Sequence, residues 1–204
     1  MNGHQNMTAQ HQHQELTEEQ EDRLAVLLPV IDGTGPHNAR LFIGNKVAAE
    51  NAALLLQHDI TSTMNLAVNI EIAPLTLTDG THVRRTHIGL IDGSGNTPHH
   101  LLSAVMAIFG IVAQDSPGKA HYPPHRRGNI LVHCRGGRSR SATVIALYLH
   151  LAHPSRFATF DSAIAHIRNV RGLDATQPQP AMLALVEEAL AFIQINRLRC
   201  SQSS

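Results

Sequence analysis

Residues 1–22 are rich in Gln, His, Asn and Glu and show no sustained apolar period. Such a segment buries too little surface to offset its ordering entropy and reads as a disordered polar tail. The folded domain is predicted over 24–195, with a frayed C-terminus over 196–204. Leu41-Phe42-Ile43 predicts a short strand closed by Gly44, and Asn45 is placed to cap one helix running to about Gln57. Ile60 to Leu66 reads as a buried strand. Leu75–Thr78 and Thr81–Val83 flank Asp79-Gly80, a hairpin signal, and the second strand should run on to Leu90. Asp92–Asn96 is a loop, and Pro98 suits the first turn of a helix reaching about Val112. From 115 to 128 the density of Pro and Gly excludes regular structure.

Beyond that insertion, Asn129–His133 predicts a strand, followed by a Gly-Gly loop and a helix through Ala142–Leu149. That helix is apolar nearly all round, so it should be central and buried. Phe160, Ala163, Ile164 and Ile167 mark one face of a further helix, ended by Arg171-Gly172. Pro180 opens the last helix, with Met182, Leu183, Val186, Leu190 and Ile193 inward. Strands alternating with helices argue for an α/β layered domain.

Composition narrows the picture. With 43% hydrophobic residues, 3% aromatic and no Trp, the core must come mainly from Leu, Ile, Val and Ala. Sixteen basic and 16 acidic residues cancel, so no global field argues for nucleic acid or a membrane surface. Locally, Lys119, Arg126, Arg127, Arg135, Arg138, Arg140 and Arg156 fall in a stretch free of Asp and Glu, which would draw in an anion. Two cysteines, Cys134 and Cys200, make no disulfide framework and fit the reducing cytoplasm. The longest apolar stretch, Leu101–Ala113, is too short to span a bilayer. His4, His11 and His13 belong to a low-complexity tail. His99, His100, His121, His125 and His133 lack metal-ligand spacing, so neither metal nor cofactor is expected. No oligomer interface is marked.

The chemistry concentrates in His133-Cys134-Arg135-Gly136-Gly137-Arg138-Ser139-Arg140-Ser141, between a strand and a helix. A helix N-terminus presents unpaired N–H groups and the positive end of its dipole, which suits a phosphate dianion. Gly136 and Gly137 let the backbone close on phosphate oxygens. The same field favours a thiolate, and a thiolate attacking phosphorus splits one hard step into two. Arg140, six residues after Cys134, can turn its guanidinium fork onto two equatorial oxygens. Ser141 can donate to the departing sulfur, Arg135–Ser139 form the phosphate-binding loop, and His133 orients it.

His-Cys, five residues, Arg, Ser resembles the signature of the protein-tyrosine phosphatase superfamily, and the compact size and Ser-Arg-Ser ending are similar to its dual-specificity branch. Leu41–Asn45 and Ile60–Leu66 resemble that branch's early strands, so the resemblance covers roughly residues 40–193. It implies a central mixed, mostly parallel sheet flanked by helices. It also implies hydrolysis of phosphotyrosine, phosphoserine and phosphothreonine in a protein substrate through a phosphocysteine, and a general acid on an upstream loop. Asp92 is the candidate acid, with Asp79 and Asp115 as alternatives.

Two departures leave alternatives open. Arg135 and Arg138 stand where lipid-directed relatives carry basic residues that hold extra phosphates, so a phosphatase for phosphoinositides or other dense polyanions is a second reading. The plainer reading turns both side chains to solvent. A third possibility is a phosphate-binding pseudophosphatase. Tyr122 and Tyr148 are the only tyrosines and build no deep phosphotyrosine-binding loop, which implies a shallow pocket.

Overall fold

The computed structural model describes residues 17–115 and 118–201, with side chains through 196. The histidines of the tail, His4, His11 and His13, lie outside the described residues. Its last part is not tail: Thr17 caps a short helix, α1 (Glu18–Glu21), in a reciprocal capping box with Gln20. What holds this polar turn is charge pairing with Arg135, Arg138 and Arg171, which no local pattern reveals.

β1 (Leu27–Thr34) pairs antiparallel with β2 (Ala39–Gly44). β1 escapes the sequence reading because Pro29 and Asp32-Gly33 break its alternation. It is an edge strand with register shifts at Pro29/Ile31 and Ile31/Thr34, where proline is tolerated. The single helix expected after Asn45 is two. Asn45 caps α2 (Lys46–Glu50), and Asn51, in extended conformation, accepts a hydrogen bond from Leu54 N at 3.0 Å to begin α3 (Ala52–Gln57). An Asn side chain competing with the helical ladder is enough to restart it.

β3 (Ile60–Ala67) is followed by the Asp79-Gly80 turn, whose pairing shrinks to one bridge, Thr76 to His82. The chain then enters β4 (Arg84–Leu90), and α4 (Pro98–Ala113) returns over the sheet. The described residues of 115–128 hold no helix or strand. β5 (Asn129–His133) inserts at the centre, giving the order β1-β2-β5-β3-β4 with every pair but β1–β2 parallel. This is the mixed, mostly parallel α/β sheet expected.

Along β5 the side chains alternate. Ile130 and Val132 join the main core under α4, α5 (Arg140–Ala152), α6 (Phe160–Arg171) and α7 (Pro180–Ser201). Leu131 faces the smaller core of Phe42, Ala48, Ala49 and Leu55 beneath α2 and α3. Every residue of α5 from Arg140 to Leu149 is buried, as an all-round apolar helix requires. α7 buries Met182, Leu185, Val186 and Ala189, a stripe at i, i+3, i+4, i+7. Its backbone stays helical to Ser201, past the frayed end expected from 196. Both layers clamp β5, so whatever leaves its C-terminal end is held from two sides.

Candidate active site

The chain leaves β5 at Cys134, turns through Arg135–Ser139 and enters α5 at Arg140, at the carboxyl end of the central parallel strand. Ligands of open α/β sheets bind at such strand ends. Cys134 is 2% exposed; Gly137 N–H donates to its Sγ at 3.3 Å, and Ser141 Oγ lies 3.4 Å from the sulfur. Lys46 N–H donates to Arg135 O at 3.1 Å, Ser139 Oγ accepts from Gln179 N–H at 3.4 Å, and Thr143 Oγ1 donates to Ser139 O at 3.0 Å. The loop is thus tied to α2, α5 and the start of α7.

The two glycines serve the loop differently from expectation. Gly137 has φ +75°, and a Cβ there would lie 2.6 Å from Gly44 O. Gly137→Ala therefore combines left-handed strain with a backbone clash, and should cost at least roughly 1–3 kcal/mol of stability. Urea denaturation would register this as a lowered midpoint. At Gly136 a Cβ would meet Arg138 Nη2 at 2.6 Å and Asp22 Oδ1 at 2.7 Å, so the space is filled by an ion pair.

His133 is fully buried on the face opposite the main core. Its Nδ1 donates to Cys134 O at 3.2 Å, orienting the carbonyl that opens the loop, and Nε2 has no partner. Burial, then the charges of Arg85 and His87, push its pKa down to about 4. Between pH 6.5 and about 4 the unfolded histidine takes a proton that the folded one refuses. Stability should therefore fall with falling pH through that window, by about 3 kcal/mol from this residue. His133→Asn keeps a donor for the carbonyl and should flatten that part of the pH dependence of the urea midpoint.

Arg140, at 4% exposure, points its guanidinium across the cleft: Nη2 is 3.3 Å from Asp92 Oδ2, Nη1 donates to Leu90 O at 3.4 Å, and Nε has no partner. Asp92, Cys134, Arg140, Gln177 and Gln179 line one cleft. The structure therefore brings Asp92 to the sulfur's cleft. Asp79 pairs instead with Arg126 and Asp115 with Arg127, away from it.

Asn96 shapes the Asp92 loop and was missed in the sequence. Its Oδ1 accepts from Ile91 N–H at 2.9 Å, and its Nδ2 donates to Ile91 O at 2.8 Å and Gly93 O at 3.1 Å. An Asn just before the Thr97 helix cap was the available signal.

Arg138 neither faces solvent nor lies free for a second phosphate. Its guanidinium meets Glu21 at 2.5 Å, Asp22 at 2.7 Å and Glu18 at 3.5 Å, and Arg135 Nε lies 3.2 Å from Asp22. Arg171 joins them, 2.8 Å from Glu21 and donating to Gly136 O at 3.1 Å. The Arg171 hydrogen bond, and after it Arg138, hold the Glu21 carboxyl below the ordinary carboxylate range despite partial burial. The positive stretch read from the sequence is largely neutralised, since Arg126 also pairs with Asp59 and Asp79.

The family model for the Swiss Army Knife protein, DSP-PTPase phosphatase domain (PTP-SAK), matches residues 37–181, from β2's approach through the Cys134 loop into α7. The chain belongs to this DSP-PTPase phosphatase family. Mouse dual specificity protein phosphatase 18 is 30% identical over 125 residues, an alignment covering 61% of this chain and 58% of that protein. The aligned part thus spans less than two thirds of the relative's length. A mouse dual specificity phosphatase solved with zinc tungstate is 25% identical, with a TM-score of 0.58 over 77% of this chain and 86% of that one. The human DUSP28 crystal structure shares the fold, at 21% identity and a TM-score of 0.57 over 82% and 95%. Among the described residues of this DSP-PTPase domain, no helix is long and apolar enough to cross a membrane, and no cluster of His, Cys, Asp or Glu could hold a metal ion.

Proposed function

We propose that this chain is an active dual-specificity protein phosphatase that works through a phosphocysteine at Cys134. The observation that carries the reading is one cleft in which the Cys134 sulfur, held by Gly137 N–H and Ser141 Oγ, shares its walls with Arg140 and Asp92. A phosphate dianion entering that cleft competes with the Asp92 carboxylate for Arg140. Winning that competition releases the Asp92 carboxyl from Arg140 to face the ester oxygen. Sulfur then forms the S–P bond while the ester P–O bond breaks, and Asp92 delivers its proton to the departing oxygen. In the second step water attacks phosphorus with Asp92 taking its proton, and the S–P bond breaks towards a thiolate that Ser141 Oγ–H stabilises. Arg140 holds the spread charge of both transition states.

The loop residues Arg135–Ser139 supply backbone donors, and His133 orients the first carbonyl. The mouse relative solved with tungstate, a tetrahedral oxyanion of phosphate-like charge, agrees with anion capture in this fold. The absence of a deep phosphotyrosine loop in the sequence favours a shallow pocket that accepts phosphoserine and phosphothreonine as well as phosphotyrosine. A reduced cytoplasm is the setting in which a free Cys134 stays competent.

The test is phosphate release by wild type over one panel of phosphotyrosine, phosphothreonine and phosphoserine peptides, phosphoinositides and an aryl phosphate. Release favouring the peptides is expected. Preference for inositol headgroups would replace the protein-phosphatase reading with the polyanion one, and no release with retained oxyanion binding would replace it with a pseudophosphatase.

A further inference from the structure

Three carboxylates from the segment preceding β1 sit on the cations that a second phosphate would need. Glu18, Glu21 and Asp22 face Arg135, Arg138 and Arg171 in contacts of 2.5 to 3.5 Å, three guanidiniums against three carboxylates. The arrangement is built rather than incidental. Arg138 and Arg171 are only 13% and 6% exposed along their side chains, and Thr17 caps the turn that carries the carboxylates. Gln177 Nε2 donates to Glu18 Oε1 at 3.4 Å from the opposite wall, and residue 136 is a glycine where the Arg138–Asp22 pair passes. Glu18 and Asp22 themselves line the Cys134 cleft.

We infer that this acidic clasp sets substrate class: it reserves the Cys134 cleft for an isolated phosphate monoester and turns away dense polyanions and closely spaced phosphates. The inference rests on the cleft being the phosphatase site proposed above. The clasp matches the charge of Arg138 and holds the 67% exposed Arg135 by one contact, 3.2 Å from Asp22, so Arg140 meets the one phosphate that reaches the sulfur. A second phosphate would have to strip carboxylates from the largely buried Arg138 and Arg171 guanidiniums, which costs several kcal/mol unless replaced in kind. It would compete against acids tethered to the same chain, at an effective concentration in the millimolar range or above. It would also approach the exposed Glu18 carboxylate, a like-charge contact that specifies against the wrong ligand.

The experiment uses full-length Cys134→Ser protein and calorimetric titration with two probes, inorganic phosphate and inositol hexakisphosphate. With the clasp intact, hexakisphosphate should bind no more than about threefold tighter than phosphate. In E18Q/E21Q/D22N the affinity ratio should rise by at least about tenfold, as expected when desolvated charge partners are released. Should that variant not fold, its buried arginines being unpaired, Glu18→Gln alone should raise the ratio by about twofold or more, since Glu18 is the exposed member. An intact clasp that binds hexakisphosphate more than about tenfold tighter than phosphate overturns the inference, as does a ratio unmoved by every variant. Failure of both probes to bind any of these proteins would instead overturn the phosphatase reading beneath it.

Discussion

Cys134→Ser should lower phosphate release from every substrate by roughly 10⁴-fold or more while leaving oxyanion binding measurable. The sulfur's neighbours explain both halves. Its hydrogen-bonding partners are Gly137 N–H and Ser141 Oγ, neither of which can take a proton from a serine hydroxyl at neutral pH. Sulfur is intrinsically far more nucleophilic than a hydroxyl oxygen, so the substituted loop holds phosphate without a competent nucleophile. Binding survives because the Arg140 guanidinium is placed by Leu90 O and Asp92, not by the sulfur. Phosphate release and tungstate titration on the same preparation check the two halves separately. Release within tenfold of wild type would mean that sulfur is not the nucleophile.

Asp92→Asn should slow hydrolysis of phosphothreonine peptides by about 10²–10⁴-fold while slowing a nitrophenyl phosphate far less. Asparagine can still meet Arg140 through its amide oxygen, 3.3 Å away in the carboxylate's place, so the cleft keeps its shape. It has no proton to give, and an alkoxide leaving group needs one far more than a nitrophenolate does. The comparison of leaving groups separates proton donation from positioning, because a merely misplaced loop would slow both substrates alike. Equal slowing would send the role of acid elsewhere. The other cleft carboxylates, Glu18 and Asp22, are ion-paired with Arg138 and make poor replacements.

The legibility of this chain follows the range of the interactions involved. His133–Ser141 was readable because strand, thiol, glycines, arginine and helix are contiguous; the chemistry and its scaffold occupy one stretch of chain. β5, α4, α5 and α6 were readable for a related reason, since their apolar periods are strong and their caps, Thr97, Pro98 and Gly172, are local. β1 was not, because an edge strand can carry Pro29 and Asp32 without penalty, and its partner supplies the order that its own pattern lacks. The break at Asn51 was lost because an asparagine at that point is compatible with either one helix or two until packing decides.

Asp92 could be named in advance as a carboxylate on a Gly-rich loop, but only the fold sets it across from Arg140 and away from Asp79 and Asp115. Arg135 is 67% exposed, as its plainer reading expects, but the carboxylates that meet it and bury Arg138 lay wholly outside local reading. These partners, Glu18, Glu21 and Asp22, stand more than a hundred residues upstream in a stretch that looked like tail. By itself, the sequence determined the strand–loop–helix that carries Cys134 and Arg140, because local hydrogen bonding and helix polarity act over neighbouring residues. Tertiary structure alone decided which charges are free and which are already matched. Coulombic pairing depends on distance in space and on burial, and neither is written in the order of the residues.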